Sequence, residues 1–262
     1  MIKFSIITVC LNAGNDLLET VKATLEQTYS NFEIIVKDGL SADGSIEKLP
    51  QDPKIRLIRK NDTGIYDAMN QGIEEASGDY LIFMNAGDRF YGTDTLEKIA
   101  EAMGPGGDTL YYGRCYNETL KCYSNSPKRL TKFFCYRSMI CHQAMLFERK
   151  YLQEKKYNTQ YRVSADRELL LHTVCKVNAK TMYLPLIIAS YKGSGFCEAE
   201  VNRQKILNEN KKMQQEFFAK SEQTWYGFLH AATLPGVRKR LAAGPKTVKV
   251  YKKLIGLLYG NK

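Results

Sequence analysis

Through its first ninety residues the chain alternates apolar runs of strand character with stretches of helical periodicity, and each run ends in a polar or acidic residue. Phe4-Ser-Ile-Ile-Thr-Val-Cys10 reads as a strand buried on both faces, and residues 16–28 carry Leu17, Leu18, Val21 and Leu25 at helical spacing. Residues 32–37, 55–58 and 80–84 repeat the strand pattern, and residues 65–76 form a helical stretch closed by Gly78. Such alternation predicts an α/β fold, a Rossmann-like and mostly parallel sheet flanked by helices. After residue 104 the texture changes. Short strand-like pieces are expected at 110–115, 120–123 and 144–147, a helix at 165–175, a strand at 183–191 and a long polar helix at 198–220.

The net charge of +10 becomes informative once it is located. Residues 203–262 hold 13 Lys/Arg against 3 Asp/Glu, which leaves 25 against 25 in residues 1–202. The body is neutral, the excess sits in the tail, and no nucleic-acid reading motif accompanies it. Nucleic acid is therefore set aside as a partner. Seven cysteines without a CxxC pair, behind an N-terminus that runs straight into a strand, point to a reduced, cytoplasmic setting. No stretch has the roughly 18 apolar residues that a spanning helix requires.

In open α/β sheets ligands bind beyond the carboxyl ends of the strands. Here those ends carry Thr8 to Asn12, Asp38, Asn61-Asp62 and Asn85 to Asp88. Any one of them taken alone is an ordinary turn residue. Four segments stand in order: Ser5-Ile-Ile-Thr-Val-Cys-Leu-Asn12, the stretch from Gln27 to Ser45, Asp62-Thr-Gly-Ile-Tyr-Asp-Ala-Met-Asn-Gln-Gly72, and Gly78-Asp-Tyr-Leu-Ile-Phe-Met-Asn-Ala-Gly-Asp88. Taken together they resemble glycosyltransferase family 2, the inverting enzymes of the GT-A fold, and in particular its bacterial capsule and exopolysaccharide branch.

The resemblance implies a catalytic domain over 1–197, with a nucleotide-binding half (1–103) and an acceptor half (104–197), followed by a helical basic extension over 198–262. It places Thr8, Val9 and Asn12 along the nucleotide pocket and gives Asp38 the hydrogen bond to the base, most often uracil. A carboxylate only accepts, so it suits a ring N–H. Asn85, Ala86 and Gly87 fall to the donor side. Asp88 falls at the position that holds a divalent cation, Mn²⁺ or Mg²⁺, although Asn85 and Gly87 stand where acidic residues are common. Both ions favour oxygen ligands and need few protein carboxylates when a diphosphate supplies the rest. Tyr66, Asp67 and Asn70 span little more than one helical turn, so some of them, with Asp67 and Asn70 as the candidates, face the donor; His142 and Gln143 are assigned to the acceptor or the diphosphate. Asp166 is assigned as the base that takes the acceptor proton, with Glu168 as the alternate and helix capping as the competing explanation.

The expected activity is transfer of a sugar from a nucleotide-sugar, UDP-linked, to a saccharide acceptor, with a polyprenyl-diphosphate-linked one in view. A nucleotidyltransferase would place acids at the same strand ends, but Asn12-Ala-Gly-Asn-Asp16 lacks the basic phosphate loop it wants. A non-catalytic nucleotide-sugar-binding or membrane-binding module stays open beside it. Residues 246–258 separate into an apolar half and a lysine half at helical spacing, which suits an amphipathic helix on the anionic inner face of the cell membrane. A helix packed on the body with solvated lysines fits the same pattern.

Overall fold

The computed structural model describes residues 1–104, 107–193 and 200–232. Strands β1 (Phe4–Cys10), β2 (Phe32–Asp38), β3 (Ile55–Arg59) and β4 (Tyr80–Phe83) pair in parallel in the order β3-β2-β1-β4. β1 is buried along its whole length and β2 nearly so, as continuous apolar runs require when both faces are covered. β3 forms the edge, and its Arg56 and Arg59 discourage further pairing there.

The sheet continues through β8 (Met145–Glu148), antiparallel to β4, then β6 (Leu110–Asn117), β9 (Thr181–Tyr191) and β5 (Asp88–Phe90). β6 and β9 are parallel, and the short β7 (Cys122–Tyr123) hangs from the end of β6. The two halves expected from the sequence thus share one sheet. Helices α1 (Asn15–Leu25) and α2 (Ile65–Glu75) lie against β1, α3 (Thr95–Met103) against β9, and α5 (Arg149–Lys155) against α2 and β8.

Three registers matter for the site. Cys10 is level with Asp38, so β1 and β2 end side by side. Asp88 is level with Tyr191, which ties the turn after β4 to the end of β9. Gly72 of α2 sits where an added Cβ would lie 2.6 Å from the Ile7 Cγ2 of β1, so this glycine sets how closely α2 approaches the sheet.

One helix expected in the acceptor half and one expected in the extension depart from expectation. The helix expected at 165–175 is α6 (Ala165–Leu171), continued by a π turn over His172–Lys176 in which the Thr173 hydroxyl donates back to the Leu169 carbonyl at 2.7 Å. The polar helix expected at 198–220 is α7 (Arg203–Phe217), and a second helix, α8 (Lys220–Ala232), follows a break at Phe218, whose backbone is extended. The break lets Phe218 and Tyr226 pack around Tyr136 of α4 (Lys132–Arg137), with ring centroids 5.3 and 5.5 Å from it. The amphipathic stretch at 246–258 lies outside the described residues. Among the described residues no helix is long and apolar enough to cross a membrane.

Candidate active site

A cavity opens where the end of β1, the turn between β4 and β5, the 3₁₀ turn His142–Ala144 that leads into β8, the start of α6 and the end of β9 converge. Val9, Asp88, His142, Gln143, Asp166 and Lys192 are among its lining residues.

The turn Asn85-Ala-Gly-Asp88 is built around Gly87, whose φ of +96° is a conformation that side chains resist. An acidic residue at that position would be strained, which accounts physically for Gly87 but not for Asn85. The turn is pinned from α1: the Gly87 N–H donates to the Thr20 hydroxyl at 2.9 Å, and that hydroxyl donates to the Asp88 carbonyl at 2.7 Å. The Asp88 carboxylate is thereby aimed into the cavity. Gln143 Nε2 donates to its Oδ1 at 3.1 Å, and His142 Nε2 lies 3.9 Å from its Oδ2. Burial raises the Asp88 pKa above the ordinary carboxylate value, against the opposing pull of His142 and of the Gln143 amide. Asn85 Oδ1 is buried beside it with no partner, while Asn85 Nδ2 is 3.2 Å from His142 Nε2.

Asp166 opens α6 from the other wall. His142 Nδ1 is 3.8 Å from its Oδ2, so one imidazole stands between the two carboxylates. Its Oδ1 accepts the Arg167 N–H at 2.8 Å and the Tyr66 hydroxyl at 3.2 Å. Burial raises the Asp166 pKa, opposed by His142, by the Arg167 N–H and by Tyr66. Glu168, the alternate base, is held by Lys155 at 3.0 Å and does not line the cavity.

The remaining expected residues divide by position. Val9, Asn85, Ala86 and Gly87 line the cavity. Thr8 is fully enclosed, and its hydroxyl has no partner. Asn12, with φ +50°, spends its side-chain oxygen on the Ala42 N–H at 2.9 Å. Asp38 is fully enclosed, accepting from the Ser41 N–H at 2.9 Å, from the Ser41 hydroxyl and from Arg59 Nε at 3.0 Å. Asp67, in the first turn of α2, accepts the Thr63 N–H at 2.8 Å and so ties down the loop that leads into the helix. Asn70 clamps the Tyr157 backbone, donating to its carbonyl at 2.9 Å and accepting its N–H at 2.8 Å. From the same segment, Ile65 lines the cavity and Tyr66 reaches Asp166.

Of the three residues singled out in that segment, Tyr66 is the one that reaches a cavity carboxylate. Lys192, which sequence reasoning passed over, stands on the rim with its ammonium 3.0 Å from both Asp16 and Glu19. Lys192 follows directly on a strand that the sequence did reveal, so its place at a strand end was the available signal.

The glycosyl transferase family 2 profile matches residues 5–167, a span that includes every cavity wall except the end of β9. The chain is 32% identical to a PGL/p-HBAD biosynthesis glycosyltransferase of Mycobacterium bovis over 198 residues, 73% of this chain and 77% of that one. Among solved structures, S. aureus TarS 1-349 in complex with UDP superposes with a TM-score of 0.61 at 16% identity, covering 84% of this chain and 74% of that one. The chain spans 44% of the longer TarS structure. The mannosyltransferase PcManGT from Pyrobaculum calidifontis, in complex with GDP-Man and Mn²⁺, superposes with a TM-score of 0.61 at 14% identity over 100% of this chain and 88% of that one. These structural likenesses speak for the GT-A fold. The profile spans the elements that carry both buried carboxylates, so the chain belongs to glycosyl transferase family 2 and is a glycosyltransferase.

Proposed function

We propose that the enzyme transfers a sugar, with inversion, from a UDP-sugar to a hydroxyl of a saccharide acceptor in surface polysaccharide biosynthesis. The observation that carries this reading is the shared cavity of Asp88 and Asp166, with His142 at 3.9 and 3.8 Å between them. One carboxylate serves the leaving group and the other the attacking hydroxyl. The acceptor oxygen attacks the anomeric carbon from the face opposite the diphosphate, and its proton passes to Asp166. The bond from the anomeric carbon to the diphosphate oxygen breaks, and the nucleoside diphosphate leaves with the electron pair. A raised pKa suits Asp166 to this task, since it makes the carboxylate a stronger base than an exposed aspartate.

Residues 1–103 form the donor half on this reading, 104–197 the acceptor half, and 198–262 an extension. The base would lie across the ends of β1 and β2, near Val9 and Asn12. Asp38 reaches it once the half-exposed Arg59 swings off its carboxylate. His142 and Gln143 face the acceptor side of the diphosphate, and Lys192, leaving Asp16 and Glu19, gives the diphosphate a cation.

A divalent cation, Mn²⁺ or Mg²⁺, fits the donor set. Asp88 would hold it, with the unpartnered Asn85 Oδ1 as a second hard oxygen. Bound there, the ion neutralises charge developing on the leaving diphosphate. Among the described residues no group of three or more acidic, His or Cys side chains could cage a metal, so nucleotide oxygens and water would complete the shell. Isothermal titration tests this. Mn²⁺ should bind weakly alone and at least tenfold more tightly with UDP, and Asp88→Ala should abolish the coupling. Tight UDP binding indifferent to both metal and mutation would overturn the assignment.

The acceptor we propose is polyprenyl-diphosphate-linked and met at the inner face of the cell membrane. The basic extension supports this, as does α8, on which Trp225 and Phe228 stack at 6.0 Å and remain more than half exposed.

A further inference from the structure

Tyr66 is buried, and its ring packs 5.3 Å from that of Tyr157. Its hydroxyl, carried in from α2, has two acceptors within reach: the Val163 carbonyl at 2.8 Å and Asp166 Oδ1 at 3.2 Å. One hydroxyl holds one proton and can serve only one of them fully at a time. Oδ1 also takes the Arg167 N–H at 2.8 Å, whereas the other oxygen, Oδ2, is the one 3.8 Å from His142 on the cavity side. The two carboxylate oxygens are therefore unlike. One is anchored by donors from two elements, and the other faces the reaction.

We propose that Tyr66 is a positioning residue for the base Asp166, a hydroxyl rotor that holds Oδ1 while the carboxylate is ionised and turns to the Val163 carbonyl once Oδ2 has taken the acceptor proton. This rests on the reading of Asp166 as the base. The proton balance is simple. The acceptor hydroxyl loses its proton to Oδ2, the negative charge on the carboxyl is discharged, and the tyrosine proton stays on tyrosine while its direction changes. Neither state strands the tyrosine proton, because Oδ1 accepts it in one and Val163 O in the other, and Oδ1 keeps the Arg167 N–H in both. The other groups that bear on Asp166 are His142 from the turn before β8, Cys141 beside it, the Arg167 side chain on α6 and the buried Tyr157 ahead of α6. Tyr66 alone among them brings a rotatable hydroxyl from α2 onto Oδ1.

The test is a carbon-13 titration of the full chain labelled at the aspartate carboxyls, with the Asp166 resonance identified by its loss in Asp166→Asn. Tyr66→Phe removes the donor, so the Asp166 midpoint should rise by about half to one pH unit. Replacing Tyr66 with a fluorinated tyrosine keeps the shape and makes a stronger donor, so the midpoint should fall. These opposite shifts cannot come from loosened packing, and the fluorinated form keeps the test decisive if Tyr66→Phe folds poorly. An Asp166 midpoint unmoved in the fluorinated protein overturns the proposal. Hydrolysis of UDP-glucose, UDP-galactose and UDP-GlcNAc with Mn²⁺ separates this failure from that of the base. A substrate turned over equally by wild type and Asp166→Asn removes the base assignment, whatever Tyr66 does.

Discussion

Asp166 is held where a carboxylate is costly, and that cost has a measurable sign. Its folded-state pKa is raised by burial, so its contribution to stability is full below the unfolded value of about 3.9 and is lost as pH rises through the folded value. At neutral pH the native site therefore carries an unfavourable charge. Asp166→Asn should raise the Tm at pH 7 while abolishing transfer, and the gap in Tm should narrow as the pH is lowered toward 4. Thermal unfolding across that range checks it. Asn70 behaves in the opposite way. Both ends of its amide are spent on Tyr157, so Asn70→Ala should destabilise by about 1–3 kcal/mol in urea unfolding and leave UDP affinity within twofold. An intact stability with weakened UDP binding would instead assign Asn70 to the donor. Residue type and order along the chain singled out Asp88 and Asp166 as candidates, and both line the cavity. The partner of Tyr66 was not legible in the sequence, since that contact joins positions 100 apart.

Helix α2 shows what an element contributes beyond its residues. It carries Ile65 to the cavity, Tyr66 to Asp166 and Asn70 to Tyr157, and its distance from β1 is set at Gly72. A Cβ there would meet the buried Ile7 at 2.6 Å, too close to accommodate without moving the helix. Gly72→Ala should therefore cost about 1–3 kcal/mol in urea unfolding. It should also slow transfer well beyond any change in donor KM, because the displaced helix carries Tyr66 off Asp166. The strands β1, β2 and β4 could be read from sequence because strands buried on both faces are largely apolar, and the edge strand β3 from Ile55, Leu57 and Ile58. β5 could not: three residues long, Asp88-Arg-Phe90 exists as a strand only because β9 supplies its partner. The break between α7 and α8 was hidden for a similar reason. Phe218 leaves the helix to reach Tyr136, an aromatic partner about eighty positions earlier.

At the scale of the whole molecule the chain combines a body of balanced charge with a cationic end, and α8 determines how that end can be tested. Residues 233–262 contain eight Lys/Arg and no Asp/Glu. Each cation near an anionic surface contributes about 1 kcal/mol, so engagement of only half of them is worth on the order of 4 kcal/mol, roughly a thousandfold in binding. A cut at Glu222 would divide α8 and uncover Tyr136 and Phe218, so any loss of binding could reflect damage to the body. A cut after Ala232 removes the cations and leaves that cluster intact. The full chain should float with vesicles containing phosphatidylglycerol, and not with phosphatidylcholine vesicles. It should lose that binding as salt approaches 1 M, where the screening length falls to about 3 Å. The 1–232 protein should stay at the bottom of the gradient. If it floats as well as the full chain, the cationic end is not the membrane contact, and Trp225→Ala in the 1–232 protein then asks whether the exposed pair on α8 is.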